Sequence, residues 1–219
     1  IHMSSYKIAA YHQDKYRFEL FDNVERLTRQ EIQRRTGCCA LVNLWYFALK
    51  DIPSAGVKAY DHQAALMLGG KWACPPTFGW PGICIDQDGR VTTAWDKDAT
   101  WSYAASVQAD YIGGKRTNTT AWAYNGVTYT GLRADGAVVL MLASKDAGLT
   151  SAEAVAAMLG AGCVDILRWD GSWSSQGSLG PGMDVQPSQK RICRGWLLVY
   201  PREIREEDKP VDGITTRYM

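Results

Sequence analysis

Val164-Asp165-Ile166-Leu167-Arg168-Trp169-Asp170-Gly171-Ser172-Trp173-Ser174-Ser175-Gln176-Gly177 runs from a strand-like stretch into a turn dipeptide, small hydroxyl residues and a Gly-rich segment that ends at Gly182. Residues 164–169 read as a strand. No second strand follows Asp170-Gly171 at once, so this dipeptide does not read as a hairpin turn. A carboxylate at a strand end, backed by hydroxyl donors on a loop held by a rigid sheet, suits an acid, a base or an electrostatic stabiliser. A solvated turn uses the same residues at least as often, because Asp and Ser readily hydrogen-bond their own backbone.

Working outward, Thr150-Ser151-Ala152-Glu153 is a capping box. It opens a helix whose Ala154, Val155, Met158 and Leu159 share one face until Gly160 and Gly162 stop it. Residues 192–200 supply a last strand, and the charged residues that follow read as a tail or linker. Upstream, Asp88-Gly89, Asn125-Gly126 and Asp135-Gly136 each sit between β-rich runs, and such dipeptides supply the positive φ that tight hairpins need. Residues 83–95 and 121–144 are therefore expected as antiparallel hairpins or a meander. Residues 6–11 and 17–21 alternate as an opening strand pair. Thr28-Arg29-Gln30-Glu31 then caps a short helix that stops at Gly37. Residues 38–47 form an apolar run broken by Asn43, a buried strand whose one polar side chain closes a network or faces a site. Residues 50–80 carry Pro53, Pro75, Pro76 and several glycines without a sustained period, and read as a long excursion over one face of the sheet. The expected architecture is an α+β fold, a mixed, largely antiparallel sheet with helices packed on it. It forms one domain over residues 6–201, with a cloning scar at residues 1–5 and a charged tail or linker at 202–219.

The bulk composition agrees with a chain that folds alone: 219 residues, 46% hydrophobic and 21% charged. The 24 basic residues against 23 acidic ones leave a net charge of +1, too weak a field to argue for nucleic acid or an anionic membrane. The longest apolar stretches, residues 137–143 and 197–200, are too short to span a bilayer, and no secretory signal is read. The compartment and the oligomeric state stay open. Nine Trp and eleven Tyr fit a core first, and less often a surface that stacks sugars. Cys38, Cys39, Cys74, Cys84, Cys163 and Cys193 form no Cys-x-x-Cys pair, so a zinc site is not expected. Free thiols are the commoner reading, with one or two bridges still open. Asp86, Asp88, Asp96 and Asp98 do not follow a calcium-loop spacing; no metal and no cofactor are expected.

A helix opened by Gly148-Leu149-Thr150, then a strand, then Asp170-Gly171 and Ser174-Ser175-Gln176 resembles the closing signature of the phosphodiester glycosidase family. The family's Asp-Gly-Gly-Gly-Ser stands here as Asp170-Gly171-Ser172-Trp173-Ser174, with two glycines replaced. Its Asn-Gly-Gly-Phe-Phe is matched by Asn43-Leu44-Trp45-Tyr46-Phe47. Its Arg-Thr before a Gly-rich strand is matched either by Arg116-Thr117 or, without the Arg, by the strand of Tyr129-Thr130-Gly131-Leu132. The resemblance follows element order over residues 38–200, and none of the three motifs is complete. It implies hydrolysis of the anomeric C–O bond of sugar 1-phosphodiesters, with Asp170, Asn43 and Ser174 as catalytic residues. Ser175, Gln176, Arg116 and Thr117 would bind substrate, and Trp45 and Trp173 would narrow the pocket where the family has glycine. Apart from the resemblance, His62 after Asp61 on the long excursion offers an acid or base and is read as standing behind the site, since a lone His is more often structural or solvated. Bacterial and phage members in cell-wall settings bring envelope glycopolymers among the expected substrates.

The chemistry can be argued without the family. The group leaving a sugar 1-phosphodiester is a phosphomonoester, already stable as an anion, so cleavage leans less on a strong general acid than ordinary glycoside hydrolysis does. One placed carboxylate then suffices, with hydroxyls and an Arg on the phosphate oxygens. Two other readings stand beside it. One is a glycan-binding module that has lost turnover with its glycines, and the other a phosphodiesterase that cleaves P–O.

Overall fold

The computed structural model describes residues 6–44, 47–52, 57–62, 65–74, 82–94, 96, 100–118, 126–171, 174–186 and 192–203, and for 47–52 and 57–62 the backbone alone. In chain order the first strands are β1 Lys7–His12, β2 Tyr16–Asp22, β3 Ala40–Asn43, β4 Phe47–Ile52, β5 Val57–His62 and β6 Leu66–Leu68. There follow β7 Lys71–Cys74, β8 Gly82–Ile85, β9 Val91–Thr92, β10 Tyr103–Ser106, β11 Gln108–Ile112 and β12 Lys115–Arg116. The last six are β13 Val127–Arg133, β14 Ala137–Ala143, β15 Cys163–Arg168, β16 Gly177–Ser178, β17 Asp184–Val185 and β18 Gly195–Pro201. Two helices accompany them, α1 Arg29–Thr36 and α2 Ser151–Gly160.

The strands form a six-stranded sheet of order β1-β14-β13-β15-β11-β12 and two five-stranded sheets, β7-β6-β10-β8-β9 and β17-β16-β3-β18-β2. β4 and β5 pair as a separate hairpin. The three larger sheets turn one face each to a common core. Tyr11, Leu140, Leu142, Leu167 and Trp169 come to it from the first sheet, Leu66, Ile83, Ile85 and Ala105 from the second, and Phe18, Val42, Leu197 and Val199 from the third. The period-2 alternation of side chains then decides what covers the outer faces. In β14 the alternate residues Val139, Met141 and Ala143 pack with Ala154 and Met158 of α2, which is why the whole strand is buried and reads as an unbroken apolar run. In β18, Trp196 and Leu198 pack with Ile32 of α1 in the same way.

This corrects the expected α+β fold. Strand far outweighs helix among the described residues, every strand pair among them is antiparallel, and the main layers are sheet against sheet. The two capping boxes are present as read, at Thr28–Glu31 and Thr150–Glu153. A capping box marks where a helix starts, however, and says nothing of how far it runs, and these helices stop after 8 and 10 residues. The supposed excursion over residues 50–80 holds part of β4 and all of β5, β6 and β7, strands of three to six residues. Segments that short show no sustained period. β1 and β2 exist but do not pair: β1 lies on β14 and β2 on β18, because each strand's apolar face finds a different sheet. Asp88-Gly89 and Asp135-Gly136 do turn hairpins, β8 into β9 and β13 into β14. Asn125 lies outside the described residues, and β12 and β13 on either side of Asn125-Gly126 are not neighbours in the sheet. Leu159, expected on the packed face of α2, is 41% exposed.

Candidate functional site

β15 delivers the site. Its last residues point alternately inward and outward, so Leu167 and Trp169 enter the common core while Arg168 emerges on the side of α2. Trp169 is fully buried, and its indole Nε1 donates to Thr130 Oγ1 at 2.8 Å, which satisfies the one polar atom the core would otherwise penalise. Asp170 follows at a bend and is half-buried.

Asn43, the last residue of β3, closes the turn around Asp170. Its Nδ2 donates to the Asp170 carbonyl oxygen at 2.7 Å. Its Oδ1 accepts from Thr128 Oγ1 at 2.7 Å and from the Gln176 backbone N–H at 3.0 Å. Main-chain bonds reinforce the same junction: Asp170 N–H donates to the Leu44 carbonyl at 2.9 Å and Asn43 N–H to that of Gln176 at 3.1 Å. One 1%-exposed amide thus ties together β3, β13 and both ends of the loop from Asp170 to Gln176. Gly171 fits that closure because a Cβ there would stand 2.8 Å from the Gly126 carbonyl oxygen, closer than packed atoms allow. That contact is a structural reason for glycine after Asp170.

The loop residues turn inward. Ser174, Ser175 and Gln176 are all buried, and the hydroxyls of Ser174 and Ser175 have no partner among the described residues. Gln176 Nε2 donates to Cys193 Sγ at 3.1 Å, and that thiol lies 3.4 Å from the Ser174 carbonyl. All six cysteines are free. Burial pushes the Cys84 thiol up to about 12 and the Cys163 thiol up to about 11. Leu44, where the resembled family has glycine, is a fully buried member of the core. Trp45 and Trp173 lie outside the described residues. His62 ends β5 opposite Phe47, and only its backbone is described.

Arg116 and Thr117 lie apart from this junction, on the outer edge of the six-stranded sheet and three strands from β13. Thr117 Oγ1 donates to the Ala109 carbonyl at 2.7 Å. Arg116 is exposed, and its Nε donates to the Asn118 carbonyl at 3.0 Å. Of the two matches to the family's Arg-Thr strand, it is the strand of Tyr129-Thr130-Gly131-Leu132 that runs beside the Asp170 turn, with Thr128 touching Asn43.

Between that edge and α2 lies a feature sequence reasoning missed. Arg168 and Asp110, 3% and 4% exposed, form an ion pair of 2.6 Å. Asp110 Oδ1 also accepts from Asn118 Nδ2 at 3.1 Å and Oδ2 from the Tyr129 hydroxyl at 3.1 Å. The pair floors a cavity of about 260 Å³ walled by Tyr111, Arg116 and the Ser151, Val155 and Leu159 side of α2. A separate crevice of about 10 Å³ lies between Arg168, Ser151, Thr128 and Gly171, and shares Ser151 and Arg168 with that cavity. Arg168, a charged residue directly after the apolar Ile166-Leu167 of β15, was the available signal, but its partner lies 58 positions away. No cluster of three or more His, Cys, Asp or Glu suited to a metal occurs among the described residues. Asp86 spends its Oδ1 on the backbone N–H groups of Asp88 and Arg90. No helix among the described residues is long and apolar enough to cross a membrane.

No family model matches the chain, and no curated protein does. Its fold is similar to that of the catalytic domain of zebrafish N-acetylglucosamine-1-phosphodiester alpha-N-acetylglucosaminidase, a structure auto-inhibited by its pro-peptide. The TM-score there is 0.58 at 14% identity, over 90% of this chain and 83% of that one. A hypothetical protein from Synechocystis matches with a TM-score of 0.63 at 10% identity, over 90% of this chain and 59% of that one. A protein of Burkholderia pseudomallei K96243 described as exported matches with a TM-score of 0.67 at 12% identity, over 90% and 74%. At these identities the likeness is one of fold.

Proposed function

We propose that this protein is a hydrolase that cleaves the anomeric C–O bond of sugar 1-phosphodiesters, with Asp170 as its reacting carboxylate. The observation that carries the reading is the junction itself, in which Asn43 holds the Asp170 turn from a neighbouring strand. A carboxylate fixed on a strand end is placed to stabilise oxocarbenium charge at the sugar or to activate a water. The departing phosphomonoester needs cations and hydrogen-bond donors more than a proton. The zebrafish enzyme, named for that bond type, has a similar fold, which supports the reading without extending it to a particular sugar. Envelope glycopolymers with glycosyl 1-phosphate linkages are among the substrates to try.

The test is product analysis with a panel of sugar 1-phosphodiesters, nucleotide sugars included. Free reducing sugar plus phosphomonoester is expected from the unmodified protein, and a rate lower by about 10²–10⁴-fold from Asp170→Asn. Sugar phosphate plus alcohol would mean P–O cleavage instead.

A second reading has its own support. The Leu44 side chain fills core space and both acceptor positions of Asn43 are committed to protein groups, as a glycan-binding module without turnover would permit. Saturable binding of the same panel with no product would establish it.

A further inference from the structure

We propose that the cavity between α2 and the β11–β12 edge binds a small phosphomonoester of sugar-phosphate type, gripped by Arg116. Three observations converge on it. First, Asp110 and Arg168 are buried at the floor, and Asp110 accepts hydrogen bonds from Arg168, Asn118 and Tyr129. Its charge is therefore answered from within the protein and does not repel an anion at the mouth. The lining holds one carboxylate against two guanidinium groups, a net charge of +1. Second, among the described residues Arg116 uses only its Nε, so its two terminal nitrogens can present the fork that matches a phosphate. Third, the Tyr111 ring and the Val155, Ala156 and Leu159 surface of α2 form an apolar wall, which bare phosphate would leave unused and a sugar ring would cover.

Size limits the class further. About 260 Å³ falls just below the roughly 300–1,000 Å³ of sites for drug-sized ligands, which leaves room for one ring and one phosphate rather than a dinucleotide. The inference rests on the hydrolase reading only for its biological sense, since there a phosphomonoester is the leaving group. Binding itself needs no turnover.

Calorimetric titration with glucose 6-phosphate tests it, because that compound holds no glycosyl phosphodiester and is not a substrate under the hydrolase reading. Inorganic phosphate and glucose serve as companions. Binding with a Kd in the range of about 10 µM to 1 mM is expected, weaker in high salt because Arg116 is exposed. Arg116→Gln should weaken it about tenfold or more, and Ala156→Trp, a substitution at an exposed helix position, should block it by filling the cavity. Both variants should melt within a few degrees of the unmodified protein when no ligand is present. No binding up to about 10 mM, equal binding of glucose and glucose 6-phosphate, or binding unchanged in both variants would overturn the proposal. Loss of turnover in Asp170→Asn with glucose 6-phosphate binding intact keeps the two readings separate.

Discussion

The two sides of β15 answer to different physics. On the inner side Trp169, Thr130, Thr128 and Asn43 are dry, and their polar atoms are spent on one another, so this region is a hydrogen-bonded block that fixes where Asp170 stands. On the outer side, one residue earlier, Arg168 meets Asp110 at the floor of an open cavity with an exposed arginine at its rim. The inner block has its polar atoms committed to one another, and the outer side has room with its floor already built. A residue that looks catalytic by spacing, such as Asn43, can thus serve as the frame for Asp170, while a separate cavity lies one side chain over.

The sharpest way to break this comparison is Asn43→Ala. It takes a hydrogen-bond partner from the Gln176 N–H, the Thr128 hydroxyl and the Asp170 carbonyl, and at about 1–3 kcal/mol for each buried bond lost the expected loss in urea unfolding is at least about 3 kcal/mol. A loss under about 1 kcal/mol would show that the junction is held by something else. Arg168→Met comes next, because it leaves Asp110 buried without its cation. Such broken pairs cost about 3–5 kcal/mol, reduced here by the two remaining donors, Asn118 and Tyr129. The double replacement Arg168→Met with Asp110→Leu should regain much of that loss. A double variant no better than the single would mean the floor is held by packing rather than by charge.

Smaller effects test how closely α2 must approach. A Cβ on Gly131 would meet Cys163 Sγ at 2.6 Å and the Asp165 carbonyl oxygen at 2.9 Å. Gly131→Ala should therefore lower stability by about 1–3 kcal/mol and shift the helix that walls the cavity, seen as weaker ligand binding there but not as a change at Asn43. The smallest expected change concerns pH. Hydrogen bonds from Thr150 and Thr28 hold the Glu153 and Glu31 carboxyls below the ordinary glutamate range. Because the folded-state values are lowered, this stabilisation is complete above the unfolded glutamate range and is lost as pH falls through the lowered values. Glu153→Gln should narrow the difference in unfolding free energy between neutral pH and about pH 3. An unchanged difference would mean the cap of α2 does not depend on that charge.

The sequence alone determined what is local. The capping boxes, the hairpins at Asp88-Gly89 and Asp135-Gly136 and the strand leading into Asp170 each depend on bonds or periods within about ten residues, and the structure holds them as read. The meeting of Asn43 with the Asp170 turn was also legible, through an order of motifs that resembles a known family rather than through any physical rule. Only the tertiary structure decided the rest. It sent β1 and β2 to different sheets, made sheet rather than helix the covering layer, buried Ser174 and Ser175, and joined Arg168 to Asp110 across 58 positions. The reason is common to all four. Strand pairing, burial and buried charge are settled between segments far apart in the chain, by which faces exclude water together, and a single strand carries its alternation but not the identity of its neighbour.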